Sequence, residues 1–166
     1  MATELTLVYN FWNTSPANGS YHRLLRQHNW SPSEINKLDR RGIAQQGENI
    51  AAKWAEASAW TILERRKRNR GFELDLVIQR NQSLRIIEVK TRLYPASDPD
   101  MNVLEGWLNY KKKCSLVRGT KFVLNSMGAR ANQLESITCE LVAVDILSNQ
   151  HIAVYRWPDA FSLDQN

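Results

Sequence analysis

Two short runs constrain this chain more than anything else in it: Glu73-Leu74-Asp75-Leu76-Val77 and Ile86-Ile87-Glu88-Val89-Lys90. Each is strand-like, apolar and rich in β-branched residues, with charges at alternate positions. Between them lies Gln79-Arg80-Asn81-Gln82-Ser83, a polar, turn-like segment. A hairpin turning about Asn81-Gln82 pairs Arg80 with Ser83 and Gln79 with Leu84. The same register, followed along the strands, sets Asp75 opposite Glu88 and Glu73 opposite Lys90. Opposed side chains share one face of a sheet, with Cβ atoms about 5 Å apart. Two carboxylates and a lysine then converge on one patch, which is costly unless the charge is offset. A divalent cation with oxygen ligands is the usual remedy.

A plainer reading competes with this one, because a Glu-x-Lys on a strand is commonly only a solvated face. Three features weigh against it. Leu84, Ile86, Ile87 and Val89 place the second run well inside a sheet, where unpaired charge is expensive. The preceding strand supplies its own acid in matching register. A third acid, Glu48, lies upstream on a helix that can reach the same place; alone it would read as an ordinary exposed helix glutamate.

The 166 residues suffice for one domain with a real core. The longest apolar runs fall far short of the roughly 18 residues of a membrane span. Leu5 to Trp12 follows an acidic residue and no cleavage site follows it, so no signal peptide is read there and a cytoplasmic location is expected. Cys114 and Cys139 are too few for a disulfide scaffold and show no zinc spacing, while His22, His28 and His151 are scattered. Zinc and a catalytic triad are therefore poor explanations. The net charge of +5 and a pI near 9.4 favour polyanionic partners. Arg65, Arg66, Lys67, Arg68 and Arg70 crowd the segment before the first acid-bearing run, and Lys111, Lys112 and Lys113 follow the second. Charge runs are more often solvated faces. Flanking an acidic patch on both sides, these two suit phosphates.

Residues 1–30 read as an N-terminal extension without clear elements, and 31–166 as a single domain. Ser31, Pro32 and Glu34 signal a helix start with a capping box. Helix is expected from there to about Trp60, with a break near Gly42. Ile43, Gly47, Ile50, Ala51, Trp54, Ala55 and Ser58 form its apolar or small-residue stripe. Thr61 to Glu64 reads as a short edge strand, then come the hairpin strands 72–79 and 84–90, and a proline-bearing loop from Leu93 to Asp100. Val103 to Leu124 is ambiguous: its first part reads as helix, while Lys121 to Asn125 has strand propensity. Cys139 to Leu147 and His151 to Trp157 are two further strands joined by a hairpin-like Ser148-Asn149-Gln150. This order predicts a mixed sheet flanked by helices.

Gly47-Glu48 on a helix, then Glu73-Leu74-Asp75-Leu76-Val77, then Glu88-Val89-Lys90-Thr91-Arg92, resemble the YraN family of bacterial proteins. That family belongs to the PD-(D/E)XK nuclease superfamily, which includes archaeal Holliday-junction resolvases. The resemblance covers about residues 42–162, including Glu140 to Asp145 and Asp159-Ala160-Phe161. It implies an α/β, restriction-endonuclease-like three-layer fold, with a central mixed β-sheet between helices. By resemblance, Asp75 and Glu88 bind an essential Mg²⁺ or Mn²⁺ and Glu48 completes the metal site. Lys90 positions or activates the attacking water. Glu73 matches the first acid of the family's Glu-Ile-Asp-Leu run, with pairing to Lys90 as its expected role, and Arg92 supports the site. Lys111 or a neighbour matches a helix lysine near the substrate, which makes residues 109–125 one helix. Phe72 departs from the family, which usually has Gly there, so access to the site is expected to differ.

The resemblance implies a nuclease acting on DNA, branched or single-stranded substrates included, in repair, recombination or processing. The related resolvases act as dimers, although no feature here marks an interface. The rival expectation keeps the fold but drops the chemistry, leaving an inactive nucleic-acid-binding or partner-binding module.

Overall fold

A computed structural model describes residues 10–12, 22–27 and 30–161. The elements run in the order β1 (Asn10–Trp12), β2 (His22–Gln27), α1 (Pro32–Asn36), α2 (Arg40–Ala57), β3 (Thr61–Asn69), β4 (Phe72–Arg80), β5 (Ser83–Leu93), α3 (Met101–Trp107), α4 (Tyr110–Met127), a 3₁₀ turn (Gly128–Gln133), β6 (Ser136–Ile146) and β7 (His151–Phe161). Two compact units share these elements. One comprises Met1–Ala51, Val89–Asp98 and Val142–Trp157; the other comprises Ala52–Glu88, Pro99–Leu141 and Pro158–Asn166. Helix α2 and strands β5, β6 and β7 run from one unit into the other.

In the second unit the strands lie in the order β6-β5-β4-β3. The β4–β5 hairpin turns at Asn81-Gln82, pairing Arg80 with Ser83 and continuing to Leu76 with Ile87. This is the register expected from the sequence. Asn81 adopts a positive φ of 53°, which asparagine tolerates better than most residues. Leu74, Leu76, Val77, Ile78, Leu84, Ile86 and Ile87 are all fully buried, so the strand charges are set in an apolar wall. Helix α4 packs against β4 at Gly119, where a Cβ would lie 2.6 Å from a Leu74 methyl. At the other end of the hairpin, the guanidinium groups of Arg80 and Arg85 each lie 4.5 Å from the Trp60 ring.

In the first unit the order is β1-β2-β7-β6-β5, with β1–β2 and β2–β7 antiparallel. Ile146, Ile152, Ala153, Val154 and Tyr155 are buried there. Strands β5 and β6 run parallel, as the hydrogen bonds between them show in each unit. Ser83 pairs with Ser136 and Arg85 with Glu140 in one; Arg92 pairs with Asp145, and Tyr94 with Ile146, in the other. Parallel strands need a long crossover, and α3 and α4 provide it. The result is an α/β fold with a mixed sheet of seven strands and attendant helices, in agreement with the restriction-endonuclease-like class. Among the described residues no helix is long and apolar enough to cross a membrane.

Several local expectations need correction. The helical break falls between α1 and α2, before Gly42 rather than at it, because Ser31 caps a short separate turn with a complete capping box. The basic segment is the body of β3, not a connector, since it pairs with β4 as far as Asn69 opposite Phe72. The single helix that the resemblance implied for residues 109–125, by contrast, is present: Lys121 to Asn125 lies inside α4, where burial of Val123 outweighs the local strand propensity. Residues 10–12 and 22–27 form strands, within what reads from sequence as an extension without elements.

Candidate metal and nucleic-acid site

The hairpin register ends its paired run at Leu76 and Ile87. Asp75 and Glu88 each stand one residue beyond that last pair. Both acids are buried, at 8 % and 2 % exposure, although a buried carboxylate is costly without a cation or hydrogen-bond donors nearby. For Glu88 one such group is the ammonium of Lys112, 2.6 Å from Oε2. Lys112 stands in the first turn of α4, where the Asn109 side chain accepts a hydrogen bond from its backbone N–H. The Cys139 thiol in β6 is pushed up to about 12, first by burial and then by the negative charge of Glu88.

Glu73 has a different partner from the one expected. Its carboxylate accepts from Arg68 at 2.6–2.8 Å, across the β3–β4 pair, so Arg68 takes the place that the sequence suggested for Lys90. Lys67 is likewise committed to Glu64 at 2.9 Å and sits over the Phe122 ring. Arg65, Arg70 and Lys111 are exposed, and Arg66 is half-buried with a positive φ of 49°. The basic cluster is thus a strand face carrying some internal pairs. Exposed pairs of this kind are weak and easily exchanged. Phe72, the departure from the family, packs on Phe122 with ring centroids 5.3 Å apart.

The remaining predicted residues belong to the other unit. Glu48 is half-buried on α2 and Lys90 is half-buried on β5. Gly47, beside Glu48, touches Thr91, beside Lys90, so closely that a Cβ there would overlap the threonine hydroxyl. Arg92 is bound to Asp145 through two hydrogen bonds, at 2.5 and 2.7 Å, and also donates to the Ser97 carbonyl. Hydrogen bonding to Asp145 is the main reason its pKa is raised, against the effect of burial. Arg92 is therefore a strut as much as a supporting site residue. Sequence reasoning missed its partner Asp145, and also Glu140, which Arg85 holds at 2.7 Å. Both acids interrupt the apolar run of β6, and that interruption is the signal that could have found them.

Among the described residues no group of three His, Cys, Asp or Glu side chains is placed to hold a metal ion together. Asp75 and Glu88 nevertheless fit a hard cation. They are buried oxygen donors on adjacent strands, and Mg²⁺ typically takes one or two carboxylates, completing its shell with waters and substrate phosphates.

Residues 47–148 match the model of the uncharacterised protein family UPF0102. The chain belongs to this family. It is the YraN family of the sequence resemblance, and the match spans Glu48, Asp75, Glu88, Lys90 and Asp145. A UPF0102 protein of Granulibacter bethesdensis is 29 % identical over 139 residues, covering 84 % of this chain and 79 % of its own. Others from Nostoc sp. and Hahella chejuensis are each 30 % identical, over 118 and 123 residues. Those matches cover 68 % and 72 % of this chain, and 82 % and 90 % of the relatives.

Proposed function

We propose that this UPF0102 protein is a Mg²⁺- or Mn²⁺-dependent nuclease of PD-(D/E)XK type, hydrolysing DNA phosphodiester bonds with a preference for structure over sequence. The observation that carries the reading is the burial of two acids, Asp75 and Glu88, each one residue beyond the last paired residues Leu76 and Ile87 of an apolar hairpin. Such a pair is expensive to keep for stability alone.

In this reading Asp75 and Glu88 hold the cation, with Glu48 contributing as the family pattern implies. When bound, a divalent cation neutralises charge on the phosphoryl oxygens and makes a water a stronger nucleophile. Lys90 stands two residues after Glu88 on β5, and its ammonium supplies positive charge where the phosphate becomes more negative. Arg65, Arg70 and Lys111 contact backbone phosphates, which gives affinity without base readout. Arg66, Lys67 and Arg68 extend that surface, Lys67 and Arg68 by exchanging an internal partner for a phosphate. The two free cysteines fit a reducing, cytoplasmic setting.

The Lys112–Glu88 ion pair favours a second reading, because it supplies a cation to one acid without any metal. On that view the chain binds nucleic acid or a protein partner but does not cleave.

The test is incubation with labelled single-stranded, duplex, flapped and four-way-junction DNA, in Mg²⁺, Mn²⁺ or EDTA. Wild type, Asp75→Asn and Lys90→Ala run side by side. Metal-dependent cleavage that falls about 100-fold or more in both variants is expected, given the usual worth of such groups. Cleavage equal in all three proteins refutes the assignment. Salt-sensitive binding without cleavage by any of them selects the second reading.

A further inference from the structure

We propose that Lys112 is a built-in stand-in for the metal: it occupies Glu88 in the cation-free protein and is displaced when a divalent cation binds. The inference rests on the metal-dependent reading of the Asp75–Glu88 pair and adds to it a competition within the chain.

The observations come from one unit. Lys112 Nζ lies 2.6 Å from Glu88 Oε2, with the lysine side chain 21 % and the glutamate side chain 2 % exposed. The glutamate is thus fixed in the wall of the fold, while the lysine retains access to water along a flexible four-carbon stem. Its position in the helix matters as well. Lys112 is one of three consecutive lysines at the N-terminal end of α4, whose first turn contains no acid. Helix N-termini favour negative groups and disfavour ammonium groups, so nothing local recommends a lysine there. Lys111 and Lys113 are exposed, whereas Lys112 turns inward. Asn109 caps the helix through the Lys112 backbone N–H, which fixes the root of the side chain and leaves its tip to choose a partner.

A single ammonium offsets one unit of negative charge, whereas a divalent ion offsets two. Arrival of the cation places like charges together at Glu88, and Lys112 is the mobile one. It leaves for solvent or, with substrate present, for a phosphate oxygen. The same side chain therefore serves two states: it lowers the cost of the buried Glu88 before the metal arrives, then joins the nucleic-acid surface. This places an upper limit on resting metal affinity, and removing the ammonium lifts it.

The experiment is titration of the full chain with Mn²⁺ alone by calorimetry, without nucleic acid, for wild type, Lys112→Met and Lys112→Arg. Thermal unfolding in EDTA and in Mn²⁺ accompanies it. Lys112→Met should bind Mn²⁺ on the order of tenfold more tightly, which is about 1.4 kcal/mol. It should also melt lower than wild type in EDTA and recover more of its stability on adding Mn²⁺. Lys112→Arg, which keeps a cation, should remain near wild type. Lys112→Met that folds only with Mn²⁺ supports the inference; failure to fold under either condition opposes it. Unchanged or weaker Mn²⁺ affinity in Lys112→Met, with wild type binding and cleaving, overturns the stand-in role alone. Absence of Mn²⁺ binding and of cleavage in wild type as well as both variants overturns the metal-dependent reading with it.

Discussion

The sharpest structural test of this fold is Gly47→Ala, because two effects of known size oppose each other there. Gly47 lies inside α2, where exchanging glycine for alanine normally gains about 1 kcal/mol of helix propensity. Here the new Cβ would lie 2.9 Å from the Thr91 Cβ and 3.0 Å from its Cγ2, and would overlap Oγ1. Ordinary carbon–carbon contacts are about 3.5–4.0 Å. Rotating Thr91 relocates its hydroxyl but not its Cβ, so helix and strand have to part by roughly 1 Å. Overpacking of this kind costs about 1–3 kcal/mol. A contact with a backbone-anchored atom belongs in the upper part of that range, leaving a net loss of about 1–2 kcal/mol. For a chain of this size that corresponds to a fall of about 2–8 °C in melting temperature, read by thermal or urea unfolding. Gly106→Ala is the internal control: it is also helical but has nothing within 4 Å of the added methyl, so it should hold or gain stability. Thr91→Ala removes two of the three close atoms and should recover much of the loss when combined with Gly47→Ala. Stability of Gly47→Ala at or above wild type would refute the close approach of α2 and β5 in this unit.

Two further outcomes follow from the buried charges and thiol. Arg92→Ala removes both guanidinium hydrogen bonds from Asp145, whose side chain is 1 % exposed, and should cost about 3 kcal/mol in urea unfolding; Arg92→Met with Asp145→Leu should recover most of it. Equal stability of Arg92→Ala and wild type would show that the pair is no strut. Cys139, held at about 12 in the fold, stays a protonated thiol at pH 8.5 and should resist iodoacetamide there. The sign is that of a raised acid: the stabilising difference is complete below the ordinary thiol value and is lost as pH rises toward 12. Mass spectrometry after alkylation at pH 8.5, native against urea-unfolded, checks it; rapid native labelling of Cys139 would contradict the burial.

Local chemistry explains which parts of this fold were legible in the sequence. The β4–β5 register followed from Asn81-Gln82 and the alternating charges, because a tight turn and a two-residue period leave little freedom. The capping box at Ser31 was equally local. Burial against distant elements escaped that logic. Strand β3 carries four basic residues in a row, Arg65 to Arg68, and a continuous run of charge hides the alternation that announces a strand. Its identity comes from pairing with β4, and basic side chains are a common protection for a strand at the end of a sheet. The β2 and β7 pairing joins His22 to Arg156, a separation along the chain that no short window can detect.

The candidate site divides in the same way. Asp75 and Glu88 could be named because each stands in a motif on an apolar strand and a hairpin register links the two strands. Their partners could not, since a cation is chosen by distance and not by sequence order. Glu73 turned to Arg68, Arg92 to Asp145 and Glu88 to Lys112. Lys111, Lys112 and Lys113 are equivalent as letters, and a basic run at a helix start reads as one solvated face. Helical geometry separates them by about 100° per residue, so only one of three can face a given acid. That choice distinguishes a lysine that merely attracts nucleic acid from one that also answers a buried carboxylate. The Mn²⁺ titration of Lys112→Met therefore probes the very step, from charge composition to charge pairing, that sequence reasoning could not make.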